Sequence, residues 1–380
     1  MRAQRSTALI LGIVALGLSM AVPAGGATLN GGTTDGATSV AIVPMGHLQD
    51  PANRFFQMFT QVGSSWRNST TVGVGTNAGI VVAAPANGLV AVPPWGTSKL
   101  TAVSGLRAGR QRIGASGEVL PRLVTGPSSI SVDPTSGVAA AVTFDGSVLS
   151  WNRLDPTPRR VGTTFALAHS AAGKRCGVAT LTAVAVTQTG SVVVGAQCSK
   201  SGEIGLFERT ASGQWVDEGH LPLGASSVVR LDADGAGVSG LVLTTRSPSS
   251  LHSFSVVRAA DGLVASTIGE GLSLHGRVLR STDLSAEGPP SYVVATIGGA
   301  TVRAWAMSPG SPVASLGPAL GSSVQAVVGT PSSSGGGSSN EITALGVAGG
   351  TLTFLTLNAS KTRWTTNQVL HVAIPYGSAA

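Results

Sequence analysis

The sequence predicts an all-β protein built from repeated four-stranded units, and three observations predict it. From Ser39 onward, short apolar runs follow one another, cut by Gly, Pro, Ser and Asp, and none sustains a 3.6-residue period over three turns. The 380 residues include 52 glycines and 20 prolines, and in a helix interior each would cost roughly 1–3 kcal/mol, which excludes a helical bundle. Strand-like segments ending in an aromatic recur about every fifty residues, at Trp151, Phe207, Phe254, Trp305 and Phe354. With 42% hydrophobic and only 11% charged residues, the chain is the reverse of a disordered one.

Taken in order, residues 1–24 carry a basic start (Arg2, Arg5), an apolar run from Ala8 to Met20 and small residues, the layout of a secretory signal peptide cleaved near Ala24 or Ala27. The run is shorter than the roughly 20 residues that span a bilayer, which argues against a permanent anchor. Residues 25–38, rich in Gly, Thr and Ala, read as a flexible spacer. Residues 39–380 form the repeat domain. Val40–Val43, Phe55–Thr60 and Trp66 supply second, third and fourth strands with no first strand before them. Complete units start near Gly79, Ile130, Leu181, Val228, Val278 and Val324. The unit at Leu181–Val186 is the cleanest, with Val192–Gln197, Glu203–Phe207 and a fourth strand at Trp215. Trp66, Trp215 and Trp364 follow small or polar turns and are 149 residues apart, three periods each. One apolar segment, Gln368–Pro375, is left over, and the expectation is that it joins the incomplete first unit. Radially repeated four-stranded antiparallel units are a β-propeller, here of seven blades closed by N- and C-terminal strands in one blade. Six blades, or two tandem β-sandwiches, are the rival arrangements.

Cys176 and Cys198 are the only cysteines. In an exported chain an even pair is read as a disulfide, and a hairpin turning near Thr189 brings the two within reach; a pair of buried thiols is the other arrangement. Two cysteines and the scattered histidines 47, 169, 220, 252, 275 and 371 do not make a metal site by spacing.

The segment Gly46–Thr60, followed by Trp66 and Asn77–Val82, resembles the front of uncharacterised secreted propeller proteins of actinobacteria, whose wider relatives include sialidase-type and other seven-bladed propellers. The resemblance covers the N-terminal quarter and implies an architecture and no activity. Two stretches 51 residues apart, Leu231–Leu243 with Asp232 and Asp234, and Asp283–Val294 with Asp283 and Glu287, resemble the calcium loops of integrin-type propeller repeats. Both have fewer carboxylates than the six to eight oxygens of a calcium site require. Weak calcium binding is set against Asp-Gly turns in which the carboxylate caps its own backbone. No other cofactor is implied.

Chemistry leaves few marks. Of the two tyrosines, Tyr292 lies in a strand beside Val293 and Val294 and reads as core. There is no Gly-x-Ser-x-Gly elbow, no His-Glu-x-x-His helix and no phosphate loop, so no catalytic residue is named. The formal charge is +7, falling to about +5 without the leader. Arg107, Arg110 and Arg112 cluster after one third strand, where a positive patch faces an anionic polymer or reads as a solvated edge. Trp95, after Pro93 and Pro94, breaks the repeat and is the candidate exposed ring. The reading is an exported, monomeric binding scaffold of the cell envelope or extracellular space, with a cell-envelope polymer or protein as partner, and neither nucleic acid nor a membrane anchor. The alternative is a secreted glycan-active hydrolase or lyase with its site in the central channel.

Overall fold

The computed structural model describes residues 28–30, 40–47, 50–62, 65–73, 82–84, 89–92, 101–104, 112–115 and 124, and residues 128–371 except 134–135, 137, 153–162, 225, 235–236, 245–247, 259–263, 284–288, 331–340 and 349. Among these the chain is all-β, and its strands form seven antiparallel sheets in chain order. The first holds β1 (Thr28–Asn30), β2 (Val40–His47), β3 (Asp50–Val62) and β4 (Ser65–Gly73); the second β5 (Val82–Ala84), β6 (Leu89–Val92), β7 (Thr101–Ser104) and β8 (Arg112–Ala115). The third holds β9 (Ile130–Val132), β10 (Val138–Val142), β11 (Ser147–Asn152) and β12 (Thr163–Ala166). A short helix, α1 (Ala171–Cys176), leads into the fourth: β13 (Val178–Val186), β14 (Val192–Cys198), β15 (Ile204–Arg209) and β16 (Trp215–Leu221).

In the fifth and sixth sheets the last strand is broken in two. The fifth has β17 (Ser226–Asp234), β18 (Gly237–Thr244), β19 (Ser250–Arg258), β20 (Val264–Ile268) and β21 (Leu272–Ser273), with both of the last two on β19. The sixth has β22 (Arg277–Asp283), β23 (Tyr292–Gly298), β24 (Thr301–Met307), β25 (Ala314–Ser315) and β26 (Leu320–Gly321), with both of the last two on β24. The seventh holds β27 (Val324–Thr330), β28 (Glu341–Ala348), β29 (Thr351–Leu357) and β30 (Trp364–His371).

Each sheet is a meander because each link is a hairpin, and the hairpins share a device. Thr143, Thr187 and Thr210 directly follow strands, and their hydroxyls accept the N–H four residues on, from Ser147, Ser191 and Gln214, at 3.1, 3.0 and 3.2 Å. Gly146, Gly190 and Gly213 take the left-handed position of these turns, with φ of 78°, 85° and 83°. In the first turn the Thr143 hydroxyl beside Asp145 holds that carboxyl below its usual acid range.

From the third sheet to the seventh, consecutive sheets pack face to face. Ala140, Val142 and Val148 of the third sheet meet Val184, Val194 and Phe207 of the fourth. Ile204 and Leu206 of the fourth meet Val242 and Phe254 of the fifth. Leu241 and Leu251 of the fifth meet Tyr292 and Val294 of the sixth, and Val302 and Ala304 of the sixth meet Val327 and Ala344 of the seventh. A sheet covered on both faces loses its in–out alternation, which is why Val192–Ala196 is buried at every position.

The chain ends meet differently from expectation. Gln368–His371 is the second half of β30, paired to β29, and the first strand of the first sheet is β1, from within the stretch read as spacer, with Thr28 opposite Ile42. A bulge at Asn367 bends β30 and lets one strand run on through Gln368, so among the described residues the expected closing segment stays on the seventh sheet; its remainder, 372–375, lies outside them. Side chains close the joint instead. Phe59 and Trp66 of the first sheet are buried with Leu345, Leu352 and Phe354 of the seventh, and Trp66 stacks on Phe354 at 4.4 Å and 11°. The Gln368 side chain binds the backbone of Trp66 twice, accepting its N–H at 2.6 Å and donating to its carbonyl at 2.8 Å. That amide satisfies backbone groups of an edge strand which would otherwise template aggregation.

Candidate functional site

Alternating strand direction gives the sheets two ends. One end collects the starts of first and third strands and the finishes of second and fourth strands; the hairpins after first and third strands lie at the other. All six histidines fall at the first end: His47 finishes β2, His169 precedes α1, His220 and His371 lie in the last residues of β16 and β30, His252 is third in β19, and His275 precedes β22.

The best-defined feature of this end is α1. Ser170 caps it, its hydroxyl accepting the Gly173 N–H at 3.0 Å, and Gly177 closes it in the left-handed region with φ of 64°. Cys176 and Cys198 form the disulfide expected from sequence, tying the helix to the finish of β14. Both cysteines are buried with Leu167, Ala172 and Phe207. Closing a loop of this length stabilises a fold by about 3 kcal/mol in the chain-entropy model. Outside the bridge, the Ser199 hydroxyl donates to the Gly177 carbonyl and the Lys200 ammonium to the Lys174 carbonyl, each at 2.7 Å. Lys174, Arg175 and Lys200 are all exposed, so three cations are held together on a covalently fixed knuckle. Sequence reading passed over this group, yet its signal is legible: Lys174 and Arg175 immediately precede one cysteine and Lys200 stands two residues after the other.

Beside the knuckle, on the same sheet, His220 lies between two carboxylates. Its Nε2 is 3.2 Å from Asp217 Oδ2 and its Nδ1 3.7 Å from Glu203 Oε2, and its ring meets Phe207 edge-on at 6.2 Å. All three polar side chains are about one-third exposed, where such pairs contribute little to stability. Glu218, the bulged residue of β16, binds Arg258 of the next sheet at 3.2 Å.

At the opposite end, Asp232 is engaged by a neighbour: Arg230 donates from Nε to one carboxylate oxygen at 2.6 Å and from a terminal nitrogen to the other at 2.7 Å. Asp234 and Asp283 finish β17 and β22, with side chains outside the described residues, as is all of Glu287. Trp95, Arg107 and Arg110 also lie outside them; Arg112 opens β8, its side chain likewise undescribed. The signal segment 1–24 is outside as well. Tyr292 is core: it is fully buried, and its hydroxyl donates to Ser239 at 2.8 Å. Among the described residues no three His, Cys, Asp or Glu side chains form a group that could hold a metal, and no helix is long and apolar enough to cross a membrane.

No family model and no curated protein matches the sequence. The fold does have solved counterparts. A putative 6-phosphogluconolactonase from Bacteroides uniformis superposes with a TM-score of 0.56 at 11% identity, over 90% of this chain and 98% of that one. A second protein so described, from Bacteroides fragilis, gives 0.54 at 10% identity over 90% and 98%. A protein from Lactobacillus plantarum gives 0.54 at 11% identity over 89% and 97%. Similarity at this identity is similarity of fold, and the fold shared is the β-propeller.

Proposed function

We infer that this chain is an exported β-propeller that binds an anionic polymer of the cell envelope or extracellular space, in keeping with the secreted actinobacterial propellers its N-terminal segment resembles. One observation carries the reading: Lys174, Arg175 and Lys200 stand exposed on a helix and turn fixed by a disulfide. Rigid cations bind a polyanion at lower entropic cost than cations on mobile segments, because the ordering is done on folding. The disulfide itself supports export, since such bonds persist in oxidising compartments. The chain acts as a monomer with its leader removed, and Arg107, Arg110, Arg112 and Trp95 belong to secondary contacts. Any calcium held by the Asp232 and Asp283 loops is bound weakly.

The test is retention of the purified chain on immobilised heparin, used as a model polyanion, across a salt gradient. The Lys174→Ala/Arg175→Ala/Lys200→Ala variant is expected to lose about tenfold or more in affinity at low salt, each exposed cation being worth roughly 0.5–1 kcal/mol against a polyanion when weakly screened. Unchanged retention of the triple variant would remove the knuckle as the site.

A further inference from the structure

Five of the sheets open their third strand on a hydroxyl residue, Thr101, Ser147, Ser250, Thr301 and Thr351, the Thr101 side chain lying outside the described residues. In three of them that side chain completes the local turn. Thr301 donates to the Gly298 carbonyl at 3.1 Å, Thr351 donates to the Ala348 carbonyl at 2.6 Å, and Ser147 hydrogen-bonds Asp145 of its own turn. In the fifth sheet the turn is closed by Thr244, which donates to the Ser250 carbonyl at 3.1 Å and accepts the Ser250 N–H at 3.1 Å. The Ser250 hydroxyl lies between the Thr244 hydroxyl of the turn, at 2.8 Å, and His252 Nε2, at 2.9 Å.

The imidazole is oriented from behind. His252 Nδ1 is 3.2 Å from the Gly269 carbonyl oxygen, which can only accept. In the neutral ring the proton therefore sits on Nδ1 and the Nε2 lone pair faces Ser250, which donates to it when the Thr244 hydroxyl supplies the proton of the Thr244–Ser250 hydrogen bond. Gly271 lies against the ring so closely that a Cβ there would stand 2.6 Å from Cε1, which fixes the plane of the imidazole. Residues i and i+2 of a strand share a face, and the positions equivalent to His252 in the other four sheets are Val103, Leu149, Arg303 and Thr353. Only this unit sets a base beside its hydroxyl. Ser250 and His252 are half-buried at the histidine end, as is Ser249, and Glu270 and Ser273 in the same chain segment as Gly269 and Gly271 are exposed.

We propose that Ser250 is a nucleophile and His252 its general base in the hydrolysis of carboxylic esters, an activity separate from polyanion binding at the knuckle. The step balances within the pair and water. An oxygen lone pair of Ser250 Oγ forms a bond to the acyl carbon while its proton passes to His252 Nε2. The ester C–O bond breaks, and the departing alkoxide takes that proton and leaves as the alcohol. Water then attacks the acyl-serine, giving a proton to His252, and the carboxylic acid leaves as Ser250 recovers its proton. The Gly269 carbonyl holds the imidazole in the tautomer that this transfer needs.

The experiment treats the full chain with a fluorophosphonate, which phosphonylates an activated serine, and maps the adduct by peptide mass spectrometry. The expected result is an adduct on Ser250, absent in Ser250→Ala, with labelling slowed about 100-fold or more in His252→Ala, the scale of general-base assistance. His252→Gln keeps a polar side chain at the site and is expected to slow labelling as strongly, and circular dichroism verifies that each variant folds. Folded wild-type protein without an adduct on Ser250, or labelling of Ser250 undiminished in a folded His252 variant, overturns the assignment. Heparin retention is unaffected in either case, so the outcome is independent of the knuckle.

Discussion

Two joints in this molecule do the same task with different means. Where the third sheet meets the fourth, the chain itself runs across through α1, a disulfide fastens the crossing, and Trp215 packs half-exposed against Phe165 at 5.7 Å. Where the seventh sheet meets the first, the two chain ends come together, and Trp66 is buried to 2% exposure on Phe354 with its backbone gripped by Gln368. The two tryptophans are equivalents. Trp66, Trp215 and Trp364 each stand first or second in a fourth strand, each is followed three residues later by a bulge (Ser69, Glu218, Asn367), and each reaches back to another sheet. Trp364 does so by donating from Nε1 to the Pro318 carbonyl at 3.0 Å. By that rule the seventh sheet stands to the first as the third stands to the fourth. A joint with a continuous chain across it tolerates a half-exposed ring, whereas the joint between the ends relies on a fully desolvated one.

The comparison breaks most sharply at Trp66. Trp66→Ala removes a large buried ring and is expected to cost about 3–5 kcal/mol of stability, measured by denaturant unfolding. Trp215→Ala at the continuous joint is expected to cost about half as much or less, since part of that ring is already in water. Equal losses at the two sites would mean that ring closure places no special demand on the first tryptophan.

Next in size is the covalent tie. Replacing both cysteines with Ala is expected to destabilise the fold by about 3 kcal/mol. The local signature matters more than the total. Hydrogen exchange should accelerate over Ala172–Gly177 and leave the Trp66–Gln368 contact at its native rate, because the disulfide fastens one joint only. Acceleration at both joints would show that they open as one unit.

Much of this was legible in the sequence, for identifiable reasons. Trp66, Trp215 and Trp364, and Phe207, Phe254 and Phe354 of the third strands, form a readable ladder because they pack between sheets, and the strands read at Val192–Gln197 and Trp215 lie where the structure has β14 and β16. The closure was misread because β1 is three residues long and sits in a Gly- and Thr-rich stretch, and because a bulge hides the continuity of Trp364–His371. The helix α1 escaped because six residues are too few to display a period, although its Ser170 cap and closing Gly177 are ordinary helix signals. For the sites, the basic residues around the cysteines were readable once a bridge was expected. Ser250 and His252 were readable as a same-face pair, but the Gly269 carbonyl that orients them comes from 17 residues beyond, which no spacing rule supplies.

The smallest expected effect tests whether exposed decoration at the continuous joint contributes at all. Arg209 of β15 sets its guanidinium 4.1 Å from the centre of the Phe165 ring, on the third sheet's last strand, and that ring also meets Trp215. A partly solvated cation–π contact of this kind is worth about 0.5–1 kcal/mol. Arg209→Lys keeps the charge but loses the flat guanidinium, so it separates stacking from charge; Arg209→Ala loses both. The expected order is a loss of about 0.5–1 kcal/mol for Ala, a smaller one for Lys, and none for either when Phe165 has first been changed to Leu. A double-mutant cycle on unfolding free energies reads this directly, the coupling between Arg209 and Phe165 being the quantity at issue. Zero coupling would leave the joint held by Trp215, the buried aliphatic core and the disulfide alone. Measurable coupling would show that this joint spreads over several modest contacts what the joint between the chain ends concentrates in one buried ring.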